Sequence, residues 1–135
     1  VMTPFPYSVD AGASVDEAQQ FMRGHRIRHL PVTRDGELVG IVSDRDLKLV
    51  LGPDFASPDA RAVRVGDAMV SPAYTVDLDA HLDDVLAHMA EAHLGAAVVT
   101  RKGRLAGVFT VTDACRHFAE FLRAQFRRSG GDDAA

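Results

Sequence analysis

The sequence has little cysteine, no tryptophan, no excess of positive charge and no long apolar run. Its single cysteine, Cys115, excludes an internal disulfide and a cysteine-based zinc site, which is typical of a reducing cytoplasm. The 15 Lys and Arg against 19 Asp and Glu give a net charge of −4, which argues against nucleic acid as the main partner. No apolar run approaches the roughly 20 residues of a membrane helix, and residues 1–6 lack the segments of a secretory signal. We therefore expect a cytoplasmic protein with no membrane partner.

What the sequence does contain is a globular composition and an internal repeat. Apolar residues make up 47% and charged residues 25% of the 135 positions, which suits one domain or two small units sharing a core. Met69 follows Met2 by 67 positions, and at this spacing no gap is needed from Met2 to Asp46. The identical pairs include Met2 and Met69, Tyr7 and Tyr74, Asp16 and Asp83, Val32 and Val99, Gly36 and Gly103, Gly40 and Gly107, and Asp46 and Asp113. The sequence therefore predicts a tandem duplication.

Each repeat predicts the same order of elements, namely an extended piece, a helix, two strands joined by a tight turn, and a second helix. Ser14 and Glu17 are expected to cap the first helix, and Asp35-Gly36 is expected to form the hairpin turn. The closing helices should start near Asp44 and Thr112. The predicted fold class is α+β. The first repeat with its loop-like linker takes residues 1–60, the second takes 61–128, and 129–135 should be a disordered tail.

The last helix carries a broad apolar stripe, and two interpretations of it remain open. The stripe consists of Cys115, Phe118, Phe121, Leu122 and Phe126. It covers the core of its own domain, or it forms a subunit interface, since three phenylalanines are many for the terminal helix of a small domain. On this face Cys115 is expected to be an inert buried thiol.

Two segments share one chemical pattern, residues 40–46 (Gly-Ile-Val-Ser-Asp-Arg-Asp) and 107–113 (Gly-Val-Phe-Thr-Val-Thr-Asp). Each ends a strand with a hydroxyl residue, Ser43 or Thr110, and continues to Asp46 or Asp113 in the first helical turn. An ionised aspartate accepts hydrogen bonds and suits the two hydroxyls of a ribose, while the hydroxyl residue and the helix start suit a phosphate. The alternative is a capping box that only starts the helix.

The chain resembles a tandem cystathionine-β-synthase (CBS) domain pair of the bacterial stand-alone type. The resemblance rests on these two segments and on residues 2–4 (Met-Thr-Pro) and 27–32 (Ile-Arg-His-Leu-Pro-Val). The resemblance covers nearly the whole chain. It implies two β-α-β-β-α repeats related by a pseudo-two-fold axis, with sheets packed face to face and a cleft on each side. It also implies an adenosine nucleotide (AMP, ADP, ATP, NAD or S-adenosylmethionine class) as regulatory ligand, no obligatory cofactor, and a homodimer.

The resemblance assigns candidate site residues to two clefts that are not equivalent. Ribose contacts fall to Asp46 and Asp113, and phosphate contacts to Ser43, Thr110, Arg28, His29 and Arg45. In one cleft the base would pack on Ser8, Ile27 and Pro31, opposite Thr110 and Asp113. In the other cleft it would pack on Thr75, Leu94 and Ala96, opposite Ser43 and Asp46. The second repeat has Gly95 and Ala96 where the first has Arg28 and His29, so phosphate binding should depend on the first repeat. The alternatives are solvated surface charges for Arg28 and His29, a surface ion pair for Arg45, and ordinary core packing for Ile27 and Leu94.

Catalysis and metal binding are not expected. The six histidines do not have the spacing of a zinc site, and no nucleophile elbow, phosphate loop or catalytic triad is recognisable. We predict a non-enzymatic regulatory module that binds an adenosine nucleotide between its repeats and signals to a protein partner. The alternative is a structural dimerisation module with unoccupied clefts.

Overall fold

The structure, a computed structural model, describes residues 3–4, 7–51 and 62–128. The expected linker loop at 52–59 and the expected disordered tail at 129–135 lie outside the described residues. The first repeat contains β1 (Thr3–Pro4), β2 (Val9–Asp10), α1 (Val15–His25), β3 (His29–Arg34), β4 (Glu37–Ser43) and α2 (Asp44–Leu51). The second contains α3 (Val65–Ala68), β5 (Thr75–Asp77), α4 (Leu82–Ala92), β6 (Ala96–Arg101), β7 (Arg104–Thr110) and α5 (Val111–Arg128).

The elements follow from local signals in both repeats. The backbone N–H of Glu17 donates to Ser14 Oγ at 3.1 Å, which confirms Ser14 as the cap of α1. Asp35 and Gly36 have φ values of 54° and 81°, so they form the tight hairpin turn expected between β3 and β4. The closing helices start at Asp44 and Val111, at or within one residue of the expected positions.

The strands form two sheets, in the orders β2-β3-β4 and β1-β7-β6-β5. In each sheet a parallel pair, β2 with β3 or β5 with β6, is followed by an antiparallel hairpin. The fold is α+β, and the two repeats are related by a pseudo-two-fold axis with their sheets facing each other. The described residues contain no helix that is both long and apolar enough to cross a membrane.

An exchange of short segments joins the repeats, and the sequence analysis did not predict it. The first repeat's β1 pairs with β7 of the second repeat, with Thr3 opposite Val108. Val70, the counterpart of Thr3, forms a bridge with Ile41, the counterpart of Val108, through two backbone hydrogen bonds of 2.8 and 3.0 Å. The segment that leads into each repeat therefore adds to the sheet of the other, as the 67-residue symmetry requires.

The first helix of the second repeat, α4, buries fewer side chains than α1, its counterpart in the first repeat. In the first repeat Val15, Ala18 and Met22 of α1 are buried in the core. In the second repeat α4 buries Val85 and Met89, whereas Leu82 and Leu86 are exposed.

The stripe of α5 is also exposed, because Phe118 is 60%, Phe121 is 56% and Phe126 is 48% accessible in the single chain. Of the two interpretations, coverage of its own core is therefore wrong. Cys115 is exposed as well, which corrects its expected burial, because it lies on the same exposed face of α5 as Phe118 and Leu122.

Candidate functional site

A cavity of about 490 Å³ lies between the two repeats. Its first wall consists of Tyr7, Arg26, Ile27, Arg28 and His29, and its second wall of Val108, Thr110, Thr112, Asp113 and Arg116. The volume is within the usual range of small-molecule sites. The cavity therefore combines the start of β3 from one repeat with the end of β7 and the first turn of α5 from the other.

The first wall is positioned by the turn that ends α1. Arg26 adopts the left-handed conformation at φ 54° and ψ 43°, and its backbone N–H donates to the carbonyls of Arg23 and Met22. The backbone N–H of Ile27 then donates to the Met22 carbonyl at 3.0 Å. This turn reverses the chain, so that residues 26–29 lie along the cavity as the chain enters β3.

The second wall is organised by Asp113, which is only 5% exposed. Its Oδ2 accepts from the backbone N–H of Thr110 at 2.9 Å and from Thr110 Oγ1 at 3.1 Å, and its own N–H donates to Thr110 Oγ1 at 3.1 Å. Its Oδ1 accepts from Arg116 Nη1 at 3.3 Å. Oδ2 thus already accepts two hydrogen bonds and Oδ1 one, so Oδ1 can accept one more.

The same capping box occurs in the first repeat, as the duplicated pattern predicts. Asp46 Oδ2 accepts from the backbone N–H of Ser43 at 2.9 Å, and the N–H of Asp46 donates to Ser43 Oγ at 3.0 Å. Both aspartates therefore start their helices. This role leaves a ligand role open, because a carboxylate oxygen accepts more than one hydrogen bond.

The first wall carries positive charge that no carboxylate in the described part of the chain neutralises. Among the described residues, no carboxylate oxygen lies within 4.0 Å of the guanidinium groups of Arg26 or Arg28. Burial lowers the pKa of His29 below its ordinary value, Asp46 opposes this shift, and Arg28 adds to it. His29 is therefore neutral at pH 7, and the cationic character of this wall comes from the two arginines.

The predicted site residues divide between this cavity and other places. Ile27, Arg28, His29, Thr110 and Asp113 line it together. The remaining predicted residues are not in its lining: Ser8, Arg45 and Thr75 are exposed, Ser43, Asp46, Leu94 and Ala96 are half-buried, and Pro31 is fully buried. Pro31 therefore lies behind the cavity wall, since its place in the centre of the sheet leaves it no accessible surface.

Sequence reasoning missed Tyr7, Arg26, Val108, Thr112 and Arg116 in the lining. Tyr7 is held by an aromatic cluster, stacked on His25 with ring centroids 4.3 Å apart and edge-on to Phe21 at 5.2 Å. The repeat of Tyr7 as Tyr74 was an available signal. Arg116 follows Asp113 by three residues on one helix, a spacing at which side chains meet.

Residues 3–4, 7–51 and 62–128 contain no group of three or more His, Cys, Asp or Glu side chains that could hold a metal ion. The cavity has the carboxylate of Asp113 in one wall and the guanidinium groups of Arg26 and Arg28 in the other.

Comparison with known proteins gives the family. The CBS domain model matches residues 1–52 and 65–120. Hypoxic response protein 1 from Mycobacterium tuberculosis is 33% identical over 110 residues, which cover 81% of this chain and 76% of that protein. The structure of CBSX2 in complex with AMP has a TM-score of 0.73 at 30% identity and covers 90% of this chain and 95% of that chain. The structure of AcuB from Vibrio cholerae has a TM-score of 0.75 at 27% identity, with 92% and 90% covered. The chain belongs to the CBS domain family and contains two CBS domains in tandem.

Proposed function

We propose that the chain is a regulatory module that binds an adenosine-containing nucleotide between its repeats and transmits the bound state to a protein partner. One observation carries this proposal. In the inter-repeat cavity, the buried carboxylate of Asp113 lines the same space as the guanidinium groups of Arg26 and Arg28, which no described carboxylate pairs. A ribose needs hydrogen-bond acceptors and a phosphate needs cationic donors, and the cavity supplies both.

The roles follow from the positions of the side chains. Asp113 accepts from the ribose hydroxyls, Arg28 with Thr110 binds the phosphate, and the apolar side chains of Ile27 and Val108 pack on the base. AMP in the CBSX2 structure supports a ligand of this class. AMP, ADP, ATP, NAD and S-adenosylmethionine all have the adenosine part that these contacts require.

The other cleft is proposed to bind more weakly. By the pseudo-symmetry it uses Ser43, Asp46 and Arg45 for ribose and phosphate, and Thr75, Leu94 and Ala96 for the base. Its position equivalent to Arg28 is Gly95, which has no side chain to offer a phosphate. His29, beside Arg28, likewise has a counterpart without a polar group.

To pass the bound state on to another protein, the chain needs a contact surface in addition to the ligand cavity. The exposed apolar faces of α4 and α5 are suited to this contact. We infer that they join two copies in a cytoplasmic homodimer. Arg116 is on α5 and lines the cavity, while Phe118 and Phe121 lie farther along the same helix. A ligand that moves the start of α5 therefore also moves the apolar face.

The alternative function is a structural dimerisation module with unoccupied clefts. It is favoured by one observation: the capping boxes of Asp46 and Asp113 are complete without a ligand. In that case both aspartates contribute to stability alone.

Calorimetric titration with AMP and ATP separates these functions. Asp113→Asn replaces an acceptor oxygen with a donor and removes the charge, so affinity should fall roughly 10- to 150-fold, or about 1.5–3 kcal/mol. The same change at Asp46 is the matched control and should leave the dominant cleft nearly unchanged. If both variants bind like the wild type and only melt several degrees lower, the aspartates act as helix caps and the nucleotide role is wrong.

Mass spectrometry of small molecules that copurify with the protein would identify the ligand.

A further inference from the structure

A second cavity of about 370 Å³ adjoins the inter-repeat cavity. Residues 26–28 line both cavities and form the boundary between them. The rest of the second lining comes from the last turns of α1 and from α2, with Met22, Arg23, Asp44 and Lys48. A ligand that reaches Arg26 and Arg28 from the inter-repeat cavity therefore has further space on their other side.

This second cavity is strongly cationic. Arg23, Arg26, Arg28 and Lys48 line it, against the single carboxylate of Asp44. Lys48 Nζ pairs with Asp44 at 2.8 Å, and no described carboxylate lies within 4.0 Å of the three arginines. In a protein of net charge −4, such a local concentration of positive charge attracts a polyanion rather than a singly charged group.

We propose that the second cavity binds the terminal phosphates of a nucleoside polyphosphate whose nucleoside occupies the inter-repeat cavity. This inference rests on the proposed function and names its ligand more narrowly, as a nucleoside di- or triphosphate. The phosphate next to the ribose lies at Arg28, and the chain of phosphates passes Arg26 towards Arg23 and Lys48. With its one phosphate at Arg28, a nucleoside monophosphate has no further phosphate for the last two side chains.

A simpler role for the basic residues gives a different expectation. Arg23 lies in the last turn of α1, where a cation stabilises the helix dipole. If that is its only role, replacing it changes the stability of the protein and leaves the preference between ligands unchanged.

The test is calorimetric titration with adenosine, AMP, ADP, ATP and inorganic triphosphate at one ionic strength, without Mg²⁺ so that no metal neutralises the phosphates. The double variant Arg23→Gln/Lys48→Gln removes two charges from the second cavity only. Arg101→Gln/Arg104→Gln is the matched control, because it removes two exposed charges from the β6–β7 hairpin, away from both cavities. Each variant is also melted without ligand.

We expect the wild type to bind ATP more tightly than AMP. The second-cavity variant should lose roughly tenfold in ATP affinity, since exposed charge-assisted contacts are lost, while AMP affinity stays within about twofold. The control variant should keep the wild-type preference for ATP over AMP.

Equal effects of the second-cavity variant on AMP and ATP affinity, or no effect on either, overturn this inference and leave the proposed function in place. Inorganic triphosphate that binds as tightly as ATP also overturns it, because the cavity then binds free polyphosphate. If no nucleotide binds, both proposals fail.

Discussion

His29 lies half-buried at the start of β3, next to Arg28 in the chain, and the carboxylate of Asp46 also acts on its pKa. Burial disfavours the charged imidazolium, and Arg28 disfavours it further, so the pKa of His29 is lower in the folded chain than in the unfolded chain. Because the unfolded state then binds more protons, protonation of this side chain favours unfolding.

The stability of the protein should therefore fall as the pH drops below about 6.5, the ordinary pKa of histidine, and the contribution of His29 should be fully present above that pH. His29→Gln keeps a polar side chain that does not titrate, and should reduce the loss of stability. Urea unfolding of both proteins between pH 5 and 8 measures the difference. Parallel stability curves for the two proteins would show that His29 does not contribute.

At the scale of elements, the contact between β4 and the segment around Val70 holds the first sheet to the second repeat. A Cβ atom at Gly40 would lie 2.7 Å from the Val70 carbonyl oxygen and 2.8 Å from Met69 Sδ. The carbonyl belongs to the backbone that bridges to Ile41, so it cannot move away without weakening the bridge.

Gly40→Ala should therefore destabilise the protein by about 1–3 kcal/mol, the usual cost of overpacking. Gly24→Ala is the control on α1, where a Cβ meets nothing within 4 Å; it should stabilise by about 0.5–1 kcal/mol, because alanine favours a helix over glycine. Denaturant unfolding of both variants shows whether each substitution lowers or raises the free energy of unfolding. A neutral Gly40→Ala would mean that the bridge is not a stabilising contact.

At the scale of the whole molecule, the exposed apolar faces of α4 and α5 predict self-association. Light scattering at micromolar concentration should give twice the chain mass of 14.6 kDa. Phe118→Glu/Phe121→Glu places two charges on the proposed interface and should give the single-chain mass, because burying unpaired carboxylates is costly. Leu49→Glu is the control, since Leu49 is 69% exposed on α2.

Two results would contradict the dimer. A wild-type mass of 14.6 kDa would show that α5 does not join two copies of the chain. Dissociation of the Leu49→Glu variant would show that the interface lies elsewhere.

The sequence by itself determined what depends on neighbours a few residues apart. Ser14 and the paired aspartates cap helices through bonds to residues three positions away, and Asp35-Gly36 turns the hairpin through backbone preferences of its own. The family resemblance, and no spacing in the sequence, implied that Ile27 and Arg28 of one half lie opposite Thr110 and Asp113 of the other.

Only the tertiary structure decided which side chains reach the space between the repeats. Arg26 enters the cavity because α1 ends in a left-handed turn, and Pro31 stays behind the wall because its strand is covered on both faces. The exchange of segments likewise depends on how the two halves pack, and the second cationic cavity depends on how α1 and α2 of the first repeat lie beside each other. Such contacts join residues far apart in the chain, and local pattern contains no information about the distance between them.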